Sequence, residues 1–246
     1  MGEVSVLILA KNEELNIKEC IESCTFANEV IVIDDNSDDK TKEIAESLGA
    51  KVINRSMNGD WGGQQTFAIR QANNEWIFFI DADERCTAEL CKEINNVVAT
   101  GEKYGYWVRR INHFKHKKVE HGPLSPDWVC RLMPKEGSYV EGFVHPKIVH
   151  QYKDKKLTKD MLHYTYETWD QYLRKMNQYS TLAAEKNKKE GKKCNFFFDI
   201  IFRPAFAFFK MYVLKLGFLD GKIGYMLCMN YANYTMNKYI KLKALE

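Results

Sequence analysis

The sequence lacks a glycine-rich loop of the kind that holds nucleotide phosphates. A Walker loop needs GxxxxGK[ST], and a dinucleotide site needs GxGxxG directly after the first strand. Here the first apolar run, residues 4–9, is followed by AKNEE, which contains no glycine. Both glycine-loop sites are therefore excluded at this position. A metal ion would have to carry more of the work of neutralising bound phosphates.

Excess charge of one sign and paired cysteines are also scarce. The net charge of +3 over 246 residues is too small to indicate a nucleic-acid partner, and none is expected. The seven cysteines are odd in number and include no CxxC pair. This pattern predicts neither a disulfide framework nor a zinc site, and we expect reduced thiols.

The first hundred residues alternate between short apolar runs and one-faced helical patterns. Ile17, Cys20, Ile21 and Cys24 have the i, i+3, i+4, i+7 spacing of an amphipathic helix, and residues 36–38 (Asn-Ser-Asp) are expected to cap the next one. The predicted strands are residues 4–9, 30–33, 52–53 and 76–80. Such alternation predicts an α/β fold with a mainly parallel sheet flanked by helices.

Polar and acidic residues follow directly after three of these strands. They are Asn12, Glu13, Asp34, Asp35, Asp81 and Asp83. Because ligands of such sheets bind beyond the carboxyl ends of the strands, we expect these side chains to gather at one edge. Two carboxylates at i and i+2, as in Asp81-Ala82-Asp83, suit magnesium or manganese completed by substrate phosphates. The ion would neutralise charge on a departing diphosphate.

Three longer segments contain these residues, namely AKNEELNIKECI, EVIVIDDNSDDKTKEIA and WIFFIDADE. Together they resemble the donor-binding half of family-2 glycosyltransferases of the GT-A fold. The resemblance continues through DWVCRLM, EGFVHPKIV and the remaining chain, in an order similar to small bacterial enzymes of lipopolysaccharide-core and surface-glycan synthesis, often described as glucosyltransferases. One departure is that many relatives read VHE where this chain has residues 144–146, Val-His-Pro. A base at that position is therefore in doubt.

The resemblance implies roles for several residues of the donor site. Asp35 would bind the uracil or ribose, with Ala10, Asn12 and Glu13 lining the nucleotide pocket. Asp81 would contact ribose or metal, and Asp83 would ligate the metal.

Two further side chains have open alternatives. His145 is either a metal ligand or diphosphate contact, or a structural histidine ending a strand. Arg131 either contacts phosphate or faces solvent.

The resemblance also implies a single inverting displacement, in which a carboxylate takes the proton of the acceptor hydroxyl. Glu141, in a loop followed by glycine near His145, is the first candidate base, and Asp127 is the second. The alternative for each is an ordinary surface carboxylate.

The C-terminal part differs from the rest. We expect a catalytic domain over residues 1–190 (nucleotide-sugar half 1–100, acceptor half 101–190) and a helical extension over 191–246. A capping box at Thr168 and Gln171 opens a long helix. Residues 196–216 are rich in Phe but interrupted by charges, of which Asp199, Arg203 and Lys210 share a narrow arc. This is typical of a helix lying in a membrane interface. The alternative is packing on the catalytic domain or on a second subunit.

The expected function is transfer of a hexose, glucose being the first candidate, from a UDP-sugar to a lipopolysaccharide-core or lipid-linked glycan. The location expected is cytoplasmic and peripheral, at an anionic inner membrane surface, with a homo-oligomer through the C-terminal helices as an alternative. A sugar nucleotidyltransferase would need a basic, glycine-rich loop after the first strand, which is absent. A non-catalytic nucleotide-sugar-binding protein of the same fold is the third alternative, and the intact Asp81 and Asp83 argue against it.

Overall fold

The computed structural model describes residues 2–142 and 147–246 and confirms the predicted α/β class. The strands are β1 (Val4–Ala10), β2 (Glu29–Asp34), β3 (Lys51–Asn54), β4 (Trp76–Asp81), β5 (Glu84–Cys86), β6 (Gly105–Phe114), β7 (Lys117–Val119), β8 (Asp127–Pro134), β9 (Ser138–Glu141), β10 (Lys147–His150) and β11 (Asp154–Tyr166). The helices are α1 (Ile17–Ser23), α2 (Thr41–Ser47), α3 (Trp61–Gln71), α4 (Ala88–Ala99), α5 (Trp169–Lys189), α6 (Arg203–Phe209) and α7 (Gly221–Leu245).

The first four strands form a parallel half-sheet in the order β3-β2-β1-β4. Alternate side chains of β1 enter different layers of the core, because successive residues of a strand point to opposite faces. Ile8 packs in the cluster that contains Ile17 of α1, whereas Leu7 packs in the cluster that contains Ala68 and Ile69 of α3. Helices therefore cover both faces, which explains why these strands are almost uninterrupted apolar runs.

The rest of the sheet is mixed. Its order continues β4-β8-β6-β11-β5, with β7 paired to β6. β8 runs antiparallel to β4, and β5 runs antiparallel to β11. A separate hairpin joins β9 to β10, with Glu141 opposite Lys147. These antiparallel pairings bring β8 and β11 beside the acidic strand ends of the first half.

The predicted cap of the second helix is wrong. α2 begins at Thr41, after Lys40, and its first backbone N–H donates to the carboxylate of Asp39 at 2.9 Å. Ser37 is engaged elsewhere, since its hydroxyl donates to the carboxylate of Asp34 and accepts the N–H of Asn12. The sequence Asn36-Ser37-Asp38 therefore builds the loop after β2 instead of starting the helix.

The chain divides into two compact units. One comprises the residues up to Arg110 together with Trp128–His163, and the other comprises Ile111–Asp127 with Tyr164–Glu246. The division of function predicted at residue 190 stays a prediction.

The second unit contains the helical C-terminal extension that the sequence predicts. α5 begins with the predicted capping box, in which Thr168 and Gln171 bond each other's backbone N–H. α7 packs along α5 and α6. On either side of α6 the helix has π-type hydrogen bonding, over Phe196–Phe202 and Lys210–Leu214. In the part of the chain that the structure describes, no helix has both the length and the apolar character needed to cross a membrane.

Candidate functional site

Three parallel strands end at the same edge of the sheet, as the sequence predicts. Ala10 at the end of β1 is paired with Asp34 of β2, and Leu9 is paired with Asp81 of β4. The loops that follow these strands carry the remaining acidic candidates. The sheet therefore gathers at one edge residues that are up to seventy positions apart in the sequence.

A pocket of about 170 Å³ opens beyond β1 and β2. Ala10, Glu13 and Asp35 line it, together with Trp61 and Gln64 of α3, and their contact with a nucleotide stays a prediction. The Asp35 carboxylate accepts the backbone N–H of Met57 at 2.8 Å and lies 3.2 Å from Lys11 Nζ. A buried carboxylate thus stands in a pocket whose other walls are largely apolar.

Asn12 supports the loops of this edge. Its φ is +56°, a conformation that asparagine tolerates better than most residues. Its side-chain oxygen accepts the N–H of Asp38 at 2.8 Å, and its own N–H donates to Ser37 Oγ at 2.9 Å. Asn12 therefore joins the loop after β1 to the loop after β2, and its contact with a donor stays a prediction.

Glu13 has a perturbed carboxyl group. Burial raises its pKa, a hydrogen bond from Asn16 Nδ2 opposes the rise, and the negative charges of Asp83 and Asp39 add to it. The net pKa is above the ordinary value for glutamate. The Glu13 carboxylate is therefore easier to protonate than the carboxylate of a solvated glutamate.

Asp81 is held by arginines. Arg131 Nη2 donates to its carboxylate, and Arg110 Nη1 lies 3.8 Å away. Burial alone would raise the pKa of Asp81, but the positive charge and hydrogen bond of Arg131 outweigh it and lower the pKa. Asp81 is therefore ionised and fixed in orientation.

Glu84 is a member of this cluster that the sequence analysis did not assign. Its side chain is fully buried, and its carboxylate accepts Arg131 Nη2 at 2.5 Å, Arg110 Nη1 at 3.0 Å and the backbone N–H of Asp81 at 2.9 Å. Burial raises its pKa despite the two arginines. The sequence does contain one signal for Glu84, which is its spacing. A side chain three residues after Asp81 can reach back to the backbone N–H of Asp81.

Arg131 is buried between these two carboxylates. Burial acts to lower its pKa, but the charges of Asp81 and Glu84 outweigh this and raise it. Its Nε is buried without a hydrogen-bond partner among the described residues. Of the two alternatives left open for Arg131, the solvent-facing one is wrong, since the residue is 6% exposed. The predicted phosphate contact stays a prediction.

Asp83 is the other carboxylate of the predicted metal pair, and both are partly exposed, Asp81 at 48%. The side chain of Asp83 is about a third exposed, and Oδ2 lies 3.4 Å from Nε2 of His163 on β11. Residues 2–142 and 147–246 contain no group of three or more His, Cys, Asp or Glu arranged to hold a metal ion. A magnesium or manganese site completed by substrate phosphates needs one or two carboxylates, and Asp83 fits that requirement. His145 lies outside the described residues.

Glu141, the first candidate base, ends β9 and is exposed, with Tyr139 Oη donating to it at 3.1 Å. Its loop is packed against the first turn of α3. A Cβ at Gly62 would lie 2.2 Å from the carbonyl oxygen of Gly142, so only glycine fits at position 62. Since Trp61, the neighbour of Gly62, lines the Asp35 pocket, residues Glu141 and Gly142 lie near that pocket.

Asp127, the second candidate base, belongs to the other compact unit. It begins β8, is half-buried, and accepts a hydrogen bond of 3.2 Å from Asn112 Nδ2. Asn112 also donates to the carbonyl of Leu124 and accepts from Thr165. Asp127 is therefore part of a local polar network.

Residues 5–178, more than two thirds of the chain, match the family Glycosyl transferase family 2. The chain belongs to this family. It is therefore a transferase, and the expected GT-A type of α/β fold is confirmed. Family membership supports glycosyl transfer over the two alternatives, a sugar nucleotidyltransferase and a non-catalytic binding protein.

Similar proteins come from several bacteria. An uncharacterized glycosyltransferase of Rickettsia bellii is 32% identical over 258 residues, covering 99% of this chain and 87% of the relative. The lipopolysaccharide core biosynthesis glycosyltransferase LpsC of Rhizobium meliloti is 27% identical, covering 99% of this chain and 94% of its own. This family-2 chain therefore spans almost the full length of both.

Two solved structures are also similar. The first 349 residues of S. aureus TarS match 98% of this chain and 90% of that one, with 16% identity and a TM-score of 0.49. Glucosyl-3-phosphoglycerate synthase of Mycobacterium tuberculosis, solved with Mn²⁺, UDP and glucosyl-3-phosphoglycerate, matches 46% of this chain and 44% of its own. Its identity is 24% and its TM-score is 0.38.

Proposed function

We propose that this family-2 glycosyltransferase moves a hexose, glucose being the first candidate, from a UDP-sugar to a lipopolysaccharide-core or lipid-linked glycan acceptor. The observation that carries the proposal is the placement of the Asp35 pocket and of Asp83 at one edge of the sheet. A nucleoside in the pocket would direct its diphosphate along that edge towards Asp83.

The pocket suits a base that carries an imide N–H. The carboxylate of Asp35 is an acceptor, and uracil presents an N–H donor between two carbonyls. Trp61 borders the pocket and is 46% exposed, so its ring is free to stack on a planar base. Guanine also presents a ring N–H donor, and for this reason both UDP- and GDP-sugars belong in the test.

A divalent cation is proposed at Asp83, with His163 and Asp81 beside it. When bound, it would neutralise the charge that develops on the departing diphosphate. The protein's own contribution is orientation. Arg131, Glu84 and Arg110 fix the carboxylate of Asp81, which then faces either the ribose or the cation.

The chemical step is a single displacement with inversion. The acceptor oxygen forms a bond to the anomeric carbon while the bond from that carbon to the diphosphate oxygen breaks. A carboxylate takes the proton of the hydroxyl, and the nucleoside diphosphate leaves with the electron pair. Glu141 is the proposed base because its loop packs beside the donor pocket, and Asp127 is the alternative.

The choice of acceptor is supported by the similarity to LpsC, which is named for lipopolysaccharide core biosynthesis and matches almost the full chain. We also propose that the enzyme works on the cytoplasmic face of the membrane as a peripheral protein. Residues 1–100 are proposed to bind the donor, and residues 101–190 to bind the acceptor.

Thermal unfolding with a panel of UDP- and GDP-sugars, each with and without Mn²⁺, tests the donor proposal. Binding to the folded state raises the midpoint. We expect the largest rise with a UDP-hexose plus Mn²⁺, and a loss of that rise in Asp35→Ala. Equal shifts for UDP- and GDP-sugars would contradict the uracil assignment, and shifts that are independent of Mn²⁺ would contradict the metal assignment.

A further inference from the structure

The second compact unit carries a long apolar stripe that no part of the described chain covers. Five side chains spaced by three or four residues lie on one side of the helical segment over residues 196–214, and they are between 42% and 56% exposed. They are Phe198, Phe202, Phe206, Phe209 and Val213. A stripe of this length extends about 20 Å along a helix. Contiguous apolar surface of this size marks an interaction site.

The stripe is an ordered surface rather than a row of separate side chains. The rings of Phe198 and Phe202 stack with centroids 5.6 Å apart, and those of Phe202 and Phe206 with centroids 6.2 Å apart. Further exposed apolar residues widen it at both ends. They are Phe196, Phe197, Ile201, Leu214, Leu216, Phe218 and Leu219.

The opposite side of the same helix packs inward. Pro204 and Ala207 are buried, and Phe208 is half-buried with its ring 5.1 Å from Tyr212 and 5.8 Å from Tyr225. Phe208 therefore belongs to the packed side.

The exposed charged side chains of residues 196–219 are all positive. Asp199 is the only carboxylate in residues 196–219, and it is 5% exposed and paired with Arg203. The exposed charged residues of the segment are basic, namely Arg203, Lys210 and Lys215. The end of α5 and the residues after it, 186–193, add five lysines against one glutamate.

We propose that this apolar stripe docks onto the surface of an anionic phospholipid bilayer, with Lys210 and Lys215 beside the lipid phosphates. Apolar rings bordered by basic side chains are the composition of helices that lie in a membrane interface. Charge favours this occupant over a second copy of the chain. Two such stripes facing each other would bring their basic residues together without an exposed carboxylate in either segment to neutralise them. The inference rests on the peripheral membrane location given in the proposed function and names the surface that would bind, and its test is independent of the donor and acceptor chemistry.

Flotation with phosphatidylglycerol/phosphatidylcholine vesicles, compared with pure phosphatidylcholine vesicles, tests the proposal without donor or acceptor. We expect the wild type to float with the anionic vesicles and to be released by high salt. Lys210→Gln with Lys215→Gln should lower the partition coefficient about tenfold or more, since each basic residue near the surface contributes several-fold.

Phe202→Ser with Phe206→Ser should also abolish flotation. The matched control is Leu173→Ser with Leu182→Ser, which removes two equally exposed apolar side chains from α5 and should float like the wild type. Circular dichroism and thermal unfolding check that each variant is folded. If the double variant Phe202→Ser with Phe206→Ser does not fold, the double variant Lys210→Gln with Lys215→Gln decides the test.

Two results would overturn the proposal. One is a wild type that stays with the unbound fraction at every lipid composition, whatever its oligomeric state. Light scattering would then show whether a dimer that Phe202→Ser dissociates occupies the stripe instead. The other is equal flotation with neutral and anionic vesicles, since charge complementarity is the reason for choosing the membrane.

Discussion

Arg131 donates a hydrogen bond of 2.5 Å to the carboxylate of Glu84, and both side chains are buried beside Asp81. The pair joins β8 to the start of β5, which are about fifty residues apart in the sequence. A buried charge that loses its partner is costly, because the interior does not solvate it as water does.

We therefore expect Glu84→Gln to lower the free energy of unfolding by about 3–5 kcal/mol. Urea denaturation at pH 7 measures the change. Glu19→Gln is the control, because Glu19 also pairs with an arginine, Arg85 at 3.3 Å, but is 71% exposed. It should cost at most about 1 kcal/mol. Equal small losses in the two variants would show that the buried pair contributes little.

Asp83→Ala should abolish sugar transfer while leaving the fold intact. Asp83 is about a third exposed at the sheet edge, so its removal leaves no buried cavity, but it removes the proposed metal ligand. Transfer assays over a range of Mn²⁺ concentrations and thermal unfolding measure the two effects. Glu22→Ala on α1, half exposed, is the control. Full activity of Asp83→Ala at saturating Mn²⁺ would contradict the assignment of Asp83 as a metal ligand.

Glu141→Gln should lower turnover by about 10² or more, with donor affinity near that of the wild type, because a general base contributes to the chemical step. Asp127→Asn should be mild in comparison, since Asp127 is bonded into the network around Asn112. Single-turnover kinetics and donor titration separate the two quantities. The opposite ranking would move the base to Asp127.

Glu13→Gln should remove a pH dependence of stability. Burial raises the pKa of Glu13 above 4.5, so the folded state holds this proton more tightly than the unfolded chain does. The contribution of Glu13 is therefore fully present below pH 4.5 and is lost as the pH rises through its folded-state pKa. The wild type should lose stability relative to Glu13→Gln between pH 4.5 and 7. Urea unfolding at several pH values measures this, and parallel curves would contradict it.

Much of the parallel half-sheet could be predicted because its strands are buried on both faces. Trp76 to Ile80 is continuous and apolar, and the observed strand extends it only to Asp81. The carboxyl ends of such strands meet at one edge, which is why Asp35 and Asp81 could be placed together. The long helix α5 was predicted by its capping box, although that signal does not show which side chains are buried: Leu173 and Leu182 are exposed.

The arginine cluster could not be predicted in the same way. Glu84, Arg110 and Arg131 meet because β8 runs antiparallel to β4 and because β6 lies beside β8. No periodicity specifies those alignments, since they join segments up to fifty residues apart. The position of Trp61 and Gln64 in the wall of the pocket could not be predicted, for a related reason. It depends on how α3 packs across the sheet.

The register of the parallel strands also fixes the distance between Asp34 and Asp81. β1 lies between β2 and β4, so Asp34 and Asp81 are separated by two interstrand spacings, about 10 Å in all. Hydrogen bonds of the buried sheet keep this separation constant, whatever the surrounding loops do. A ligand that touches both the Asp35 pocket and Asp83 must bridge that gap, as a nucleoside joined through two phosphates would. Under the proposed function, a sugar activated by a single phosphate would not span this gap.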